Sequence, residues 1–223
     1  MSFKVSGSLA EQIAGHLQDR IISLEIKPGD WIRELSVAEE LGISRSPVRE
    51  ALRILEKYRM VEIIPRRGAV VTEMTPEFIR ELHEVLIELL GYTGRKCTEN
   101  ATQEDLAKIE EAAQRSRTCS QNRDLYGYYR AVIDFGLACL TAARNRLAEQ
   151  IISELLPSIR RIMYISFATM GDSLIEDAEI ITAGNRYVQE RNGEMAEKTV
   201  RDYISKLQSY VLPSTRESES PHA

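Results

Sequence analysis

Apolar residues recur at helical spacing over most of the chain, and only one stretch between residues 61 and 72 carries short extended runs instead. Leu9, Ile13, Leu17 and Ile21 are four apart, with Ile22 and Leu24 beside them, so residues 8–24 read as an amphipathic helix. Ser8 suits its N-cap and Glu11 stands at the capping-box position. Lys27-Pro28-Gly29-Asp30 is a turn signal, because proline presets φ and glycine admits φ > 0. Leu35 to Leu41 forms a short second helix that Gly42 stops. Ser44-Arg45-Ser46-Pro47 opens a third, with Ser46 as N-cap and Pro47 at the first helical position. That helix turns Val48, Leu52 and Leu55 inward and runs to about Tyr58. Val61-Glu62-Ile63-Ile64 and Ala69-Val70-Val71-Thr72 are β runs joined by a hairpin tip, Pro65-Arg66-Arg67-Gly68. The order helix, helix, turn, helix, hairpin is that of a winged helix-turn-helix, with Gly42-Ile43-Ser44 at the tight turn.

Thr75-Pro76 marks a boundary, since threonine caps and proline begins a helix well. Beyond it the pattern predicts only helices, over about 76–98, 103–119, 122–142, 145–170, 174–191 and 193–211, with a kink or break near Pro157. The expected fold is therefore mainly α: a winged helix-turn-helix over 1–74, then an all-α bundle of about six helices over 75–212. Residues 213–223 are polar and read as a disordered tail.

Of the 223 residues, 43% are hydrophobic and 28% charged, which fits a globular chain and excludes extensive disorder. No apolar run approaches the ~18–20 residues of a membrane helix, and the start lacks the apolar segment of a signal peptide. Cys97, Cys119 and Cys139 are odd in number and widely spaced, which argues against a disulfide framework and a structural zinc site. The expected compartment is the cytoplasm, without membrane contact. The net charge of −5 is uneven: residues 1–74 are neutral, and all of the excess lies in 75–223. Within 44–68, seven basic residues (Arg45, Arg49, Arg53, Lys57, Arg59, Arg66, Arg67) face only Glu50, Glu56 and Glu62. Such a segment is either a solvated helix face or the seat of an anionic partner.

Chemistry concentrates on the third helix. Arg45 and Arg49 are four apart and share a face, which Arg53 extends. Arginine's planar fork of donors matches phosphate oxygens and the O6/N7 edge of guanine. Ser44 and Ser46 stand where hydroxyls and free N–H groups meet phosphates. Arg66 and Arg67 at a hairpin tip suit a minor groove, with Gly68 allowing close backbone approach. Asp134 with Glu88, or Cys139 alone, offers no catalytic arrangement beyond surface carboxylates and a core thiol. There is no phosphate loop and no dinucleotide fingerprint, so no enzyme and no catalytic residue is expected.

These residues carry a resemblance. Lys27-Pro28-Gly29-Asp30, Glu34, the run from Ala38 to Arg45, Pro47-Val48-Arg49-Glu50-Ala51-Leu52, Leu55 and Arg67-Gly68-Ala69-Val70-Val71 make residues 11–74 similar to the DNA-binding domain of the GntR family of bacterial transcription regulators. The remainder resembles, in length and layout, the ligand-sensing FCD domain of its FadR subgroup. The resemblance implies a homodimeric, ligand-responsive regulator, a repressor more readily than an activator, on a palindromic double-stranded operator. It carries DNA contact to Arg33, Glu34, Ser44, Arg45, Ser46, Arg49, Arg53, Arg66, Arg67 and Gly68. One departure is Leu35, where many members have a DNA-contacting arginine; either Arg33 substitutes or that contact is lost.

Metal-binding members place an aspartate and a histidine on one bundle helix and two further histidines on the last two. The matching positions here are Val132, Gly136, the vicinity of Ile181, and Tyr203, while the usual first-helix arginine falls at Leu86. The chain has only His16, His83 and His222, so neither metal nor other cofactor is expected. An effector pocket without metal would draw on Leu86, Tyr129, Val132, Gly136, Arg160, Arg161, Asn185 and Tyr203, with Tyr187 near, and would take an organic acid or a more apolar metabolite. The competing reading makes the aromatics core and the arginines solvated, and the bundle a dimer scaffold without effector control. A metal-dependent enzyme or sensor would need ligands the sequence lacks.

Overall fold

The first helix, α1 (Leu9–Ile22), starts where its capping box closes: the Glu11 N–H donates to Ser8 Oγ at 3.2 Å, and the Ser8 N–H donates to Glu11 Oε2 at 2.7 Å. In this computed structural model, which describes residues 8–65 and 67–217, the chain is mainly α with one small sheet. Contacts divide it into two units, one of residues up to Met74 with Glu154–Arg161, the other of Thr75–Ser153 and the residues from Ile162 on.

In the first unit, α1 ends two residues before the expected limit, and Leu24 takes φ +60 in the turn that follows. Helix α2 (Glu34–Leu41) stops at Gly42, whose φ of +66 is the left-handed C-cap the sequence announces. Helix α3 (Arg45–Lys57) begins two residues sooner than expected. Ser44, not Ser46, is the extended N-cap residue, and it makes no side-chain cap bond. Pro47 then lies third in the helix, still among the first four N–H positions that have no intrahelical partner, so its missing donor costs the ladder nothing. Val48, Leu52 and Leu55 are buried as their spacing predicts, and α3 packs on α1, where Leu17 and Ile21 are buried too.

The wing is a three-stranded antiparallel sheet in the order β1 (Trp31–Ile32), β3 (Gly68–Val71), β2 (Val61–Ile64). Its registers are Ile32↔Ala69 and Ile63↔Ala69. Strand β1 has no signal in the hydrophobic pattern, because two residues cannot show alternation. Gly68 is fixed by that strand: its φ is +113, and a Cβ there would lie 2.5 Å from the Ile32 carbonyl oxygen.

The second unit is all-helical: α4 (Pro76–Asn100), α5 (Gln103–Gln121), α6 (Leu125–Ala142), α7 (Arg146–Met170, less its segment Glu154–Arg161), α8 (Leu174–Gln189) and α9 (Gly193–Glu217), with a 3₁₀ turn at Gly171–Ser173. Several of these helices start on a side-chain cap, Thr75 as expected. Thr75 Oγ1 accepts from the Phe78 N–H, Thr102 closes a capping box with Asp105, and Asn145 Oδ1 accepts from Leu147 and Ala148. Helix α7 runs unbroken through Pro157, against the expected break. Helix α9 continues to Glu217, so residues 213–217 are helical rather than a disordered tail; the remainder of that expected tail lies outside the described residues. A helix already nucleated gains a bond with each added residue, and Pro213 forfeits only its own. Helices α4 and α9 pack closely where Gly91 meets the Arg201 side chain and Gly94 meets Val200.

Candidate functional site

The start of α3 and the wing build one face of the first unit. A groove of about 530 Å³ is lined by Arg33, Glu34, Leu35, Arg45, Arg49, Leu52, Arg53, Ile63, Ile64, Pro65, Arg67 and Gly68. Seven of the expected DNA contacts are therefore gathered in one place. Ser44 and Ser46 are exposed at the beginning of the same helix. With no side-chain cap bond at Ser44, the first turn of α3 keeps unpaired N–H donors of the kind that receive phosphate. Arg66 lies outside the described residues.

Glu34, the first residue of α2, organises this face. Its Oε1 accepts from Arg49 Nε at 2.8 Å, and its Oε2 from Arg49 Nη2 at 2.8 Å and Arg45 Nη2 at 3.0 Å. The carboxylate side chain is 16% exposed and the arginines 58% and 53%. The hydrogen bond from Arg49 chiefly, then that from Arg45, pulls the Glu34 carboxyl down to about 2 against the opposing effect of burial. Arg67 stacks over the Trp31 ring, 4.7 Å from its centroid. Trp31 is a contributor that the sequence reading missed; a single tryptophan next to a turn was the available signal.

In the second unit, a charged cluster centres on a buried carboxylate. Asp177 on α8 is fully buried, and its Oδ2 accepts from Tyr128 Oη at 2.7 Å and Tyr203 Oη at 3.0 Å. Its Oδ1 accepts from Lys206 Nζ at 3.2 Å. Burial pushes the phenols of Tyr128 and Tyr203 well above their ordinary range, helped by the Asp177 charge at Tyr128 and by Tyr128 and then Asp177 at Tyr203. Tyr128 meets Phe167 edge to face at 5.0 Å. Of the residues expected to line an effector pocket, Tyr203 joins this cluster. Asp177, Lys206 and Tyr128 were missed. Asp177 had a signal: it falls on the buried stripe of Leu174, Ala178, Ile181 and Val188, where a charge is out of place.

The other expected pocket residues divide. Leu86, Tyr129 and Val132 are buried in the bundle, with Tyr129 edge to face on Tyr164. Asn185 is buried and donates to Glu110 Oε2 at 2.5 Å. Gly136, expected to leave room inside, lies on the exposed side of α6, where a Cβ would meet nothing within 4 Å. Arg160 and Arg161 belong to the segment grouped with the first unit. Arg161 is buried and donates to the Thr72 carbonyl at 2.6 Å, and desolvation lowers it to about 10. It is therefore not solvated.

The cluster does not fit a divalent metal. It offers one carboxylate and two phenols held neutral, and it places an ammonium on the carboxylate. Among the described residues no group of three or more His, Cys, Asp or Glu stands close enough to hold a metal. His83 is a core residue, its Nδ1–H donating to the Ile79 carbonyl at 2.7 Å. Among the described residues no helix is long and apolar enough to cross a membrane.

Residues 9–71 match the family model of bacterial regulatory proteins of the gntR family, and residues 81–206 match that of the FCD domain. The transcriptional repressor RspR of Escherichia coli K12 is 22% identical over 211 residues, covering 93% of this chain and 91% of its own. The regulator YdhC of Bacillus subtilis is 30% identical over 111 residues, so the chain spans about half of that relative's length. The solved structure of E. coli McbR/YncC, 20% identical, superposes with a TM-score of 0.79 over 95% of this chain and 99% of that one.

Proposed function

The chain belongs to the GntR family of bacterial regulatory proteins, with an FCD domain as its C-terminal part, and from this we propose that it is a homodimeric repressor acting on a palindromic operator under the control of a small molecule bound without metal. As a DNA-binding transcription regulator it is one of a family of regulators, not of enzymes. The observation that carries the operator reading is the convergence of Arg33, Glu34, Arg45, Arg49, Arg53, Arg67 and Gly68 on one groove beside an uncapped helix start. The repressor reading is supported by the similarity to RspR, itself a transcriptional repressor. Two-fold symmetry of a dimer would give symmetric half-sites. The dimer is supported by Leu147 and Ile151, one turn apart on α7 and both exposed in the single chain.

The Asp177 cluster is where an effector would act in this reading. A ligand that competes for the phenols or for Lys206 changes the packing of α6, α8 and α9. It alters DNA affinity only as far as it binds the DNA-free state better. One observation favours the scaffold alternative: both oxygens of Asp177 already have partners within the bundle. A thermal-shift screen with chelator present, using metabolite acids and apolar small molecules, separates the two. A ligand at 100 times its dissociation constant adds about 2.7 kcal/mol. A saturable shift by an organic ligand supports the sensor. A shift by metal alone contradicts the metal-free reading, and a flat screen supports the scaffold. Selection of duplexes from a random-sequence pool tests the operator: one enriched palindrome is expected, and no enrichment contradicts it.

A further inference from the structure

Arg45 and Arg49 reach toward solvent from the same face of α3, yet one half-buried carboxylate from another helix holds both. Glu34 engages Arg49 through two parallel bonds and Arg45 through one, so the three side chains form a single ionic unit. The carboxylate's seat at the first turn of α2 adds the helix dipole to its stabilisation. Its pKa near 2 keeps it ionised throughout the neutral range. Arg49 spends two of its five donors on it and Arg45 one, so each guanidinium keeps a free donor edge.

This geometry does two things to any DNA contact. It fixes the planes of both guanidiniums before DNA arrives, which matters for bidentate recognition of a base edge and little for a phosphate. It also cancels one of the two positive charges, which reduces attraction to phosphate of any sequence. We propose that Glu34 is a specificity-determining positioning residue: it orients Arg45 and Arg49 for base readout and suppresses their sequence-independent binding to DNA. The proposal rests on the reading of this groove as the operator-contacting face. It assigns Glu34 no base contact of its own.

The test uses the full chain, the duplex that the wild-type protein enriches from a random pool, and a scrambled duplex of equal length and composition. Affinities are measured by fluorescence anisotropy across a salt series for wild type, Glu34→Gln and Glu34→Asp. Glu34→Gln should bind the scrambled duplex more tightly, with a log–log salt slope steeper by about one. Its preference for the enriched over the scrambled duplex should fall at least tenfold. Glu34→Asp keeps the charge and should return the salt slope to the wild-type value while recovering only part of the preference. An unchanged ratio and slope in Glu34→Gln overturns the proposal while leaving operator binding intact. A variant whose preference moves to a different base at one position overturns it too, because Glu34 would then read a base itself. If the wild type enriches no duplex, the operator reading fails, and this proposal with it. Unchanged helical circular dichroism and melting temperature identify a folded variant, and Glu34→Asp supplies a second chance at one.

Discussion

Tyr203 Oη lies 3.0 Å from Asp177 Oδ2, inside a bundle where the Asp177 carboxylate has no exposed surface at all. The same oxygen takes a second phenol from Tyr128 and the other oxygen an ammonium from Lys206, so the charge is both paired and hydrogen-bonded. Removing one partner of a buried pair is costly because the remainder stays desolvated. Asp177→Ala strands two phenols and a half-buried ammonium, and should destabilise by about 3–5 kcal/mol. For a chain of this size that is a drop in melting temperature on the order of 10 °C, read by circular dichroism. Lys206→Met should cost less, because Asp177 then still accepts from both phenols and only the 28% exposed ammonium is lost.

Gly68→Ala should be damaging out of proportion to its size. The new methyl group would meet the Ile32 carbonyl at 2.5 Å, and φ of +113 disfavours any L side chain. The expected loss is about 1–3 kcal/mol by urea unfolding, with weakened DNA binding because the wing separates from β1. Full stability in this variant would show that β1 is not fixed where the structure has it.

Trp31 reports on the interface directly. It is the chain's single tryptophan, is 42% exposed and carries Arg67 over its ring. Adding the enriched duplex should change its emission saturably, at the stoichiometry found by anisotropy. Trp31→Ala should lower affinity several-fold by freeing Arg67, an effect of the ~0.5–1 kcal/mol typical of exposed cation–π contacts.

His83 sets a pH dependence. Burial lowers its pKa in the folded chain, despite the bond to Ile79, so the unfolded chain binds more protons in mild acid. The stability it contributes is complete above the unfolded value near 6.5 and is lost as pH falls from there toward the lower folded value. Thermal unfolding between pH 7.5 and 5 should show this decline, and His83→Gln should remove that part of it.

The local elements were legible in the sequence because their signals are local. Ser8 with Glu11, Gly42 and Thr75-Pro76 each settle a helix end within one turn, and the structure keeps all three. The basic face was legible for the same reason, since Arg45, Arg49 and Arg53 share one helix. What escaped is non-local. Strand β1 exists only through its pairing with β3. The bonds from Arg45 and Arg49 to Glu34 join two helices, and the cluster on Asp177 joins α6, α8 and α9. Gly136 was misread because its place within α6 does not reveal which side of that helix faces water. Pro157 was read as a kink or break by local rule, and the polar residues from 213 on as a tail, yet α7 runs through the first and α9 continues to Glu217.

The most direct test of the central claim is the affinity of Arg49→Ala for the duplex the wild type enriches, measured by anisotropy over a range of salt. The account predicts at least a tenfold loss, with a salt slope altered by about one as a charge is removed from the interface. Wild-type affinity and slope in that variant would show that α3 does not read the operator.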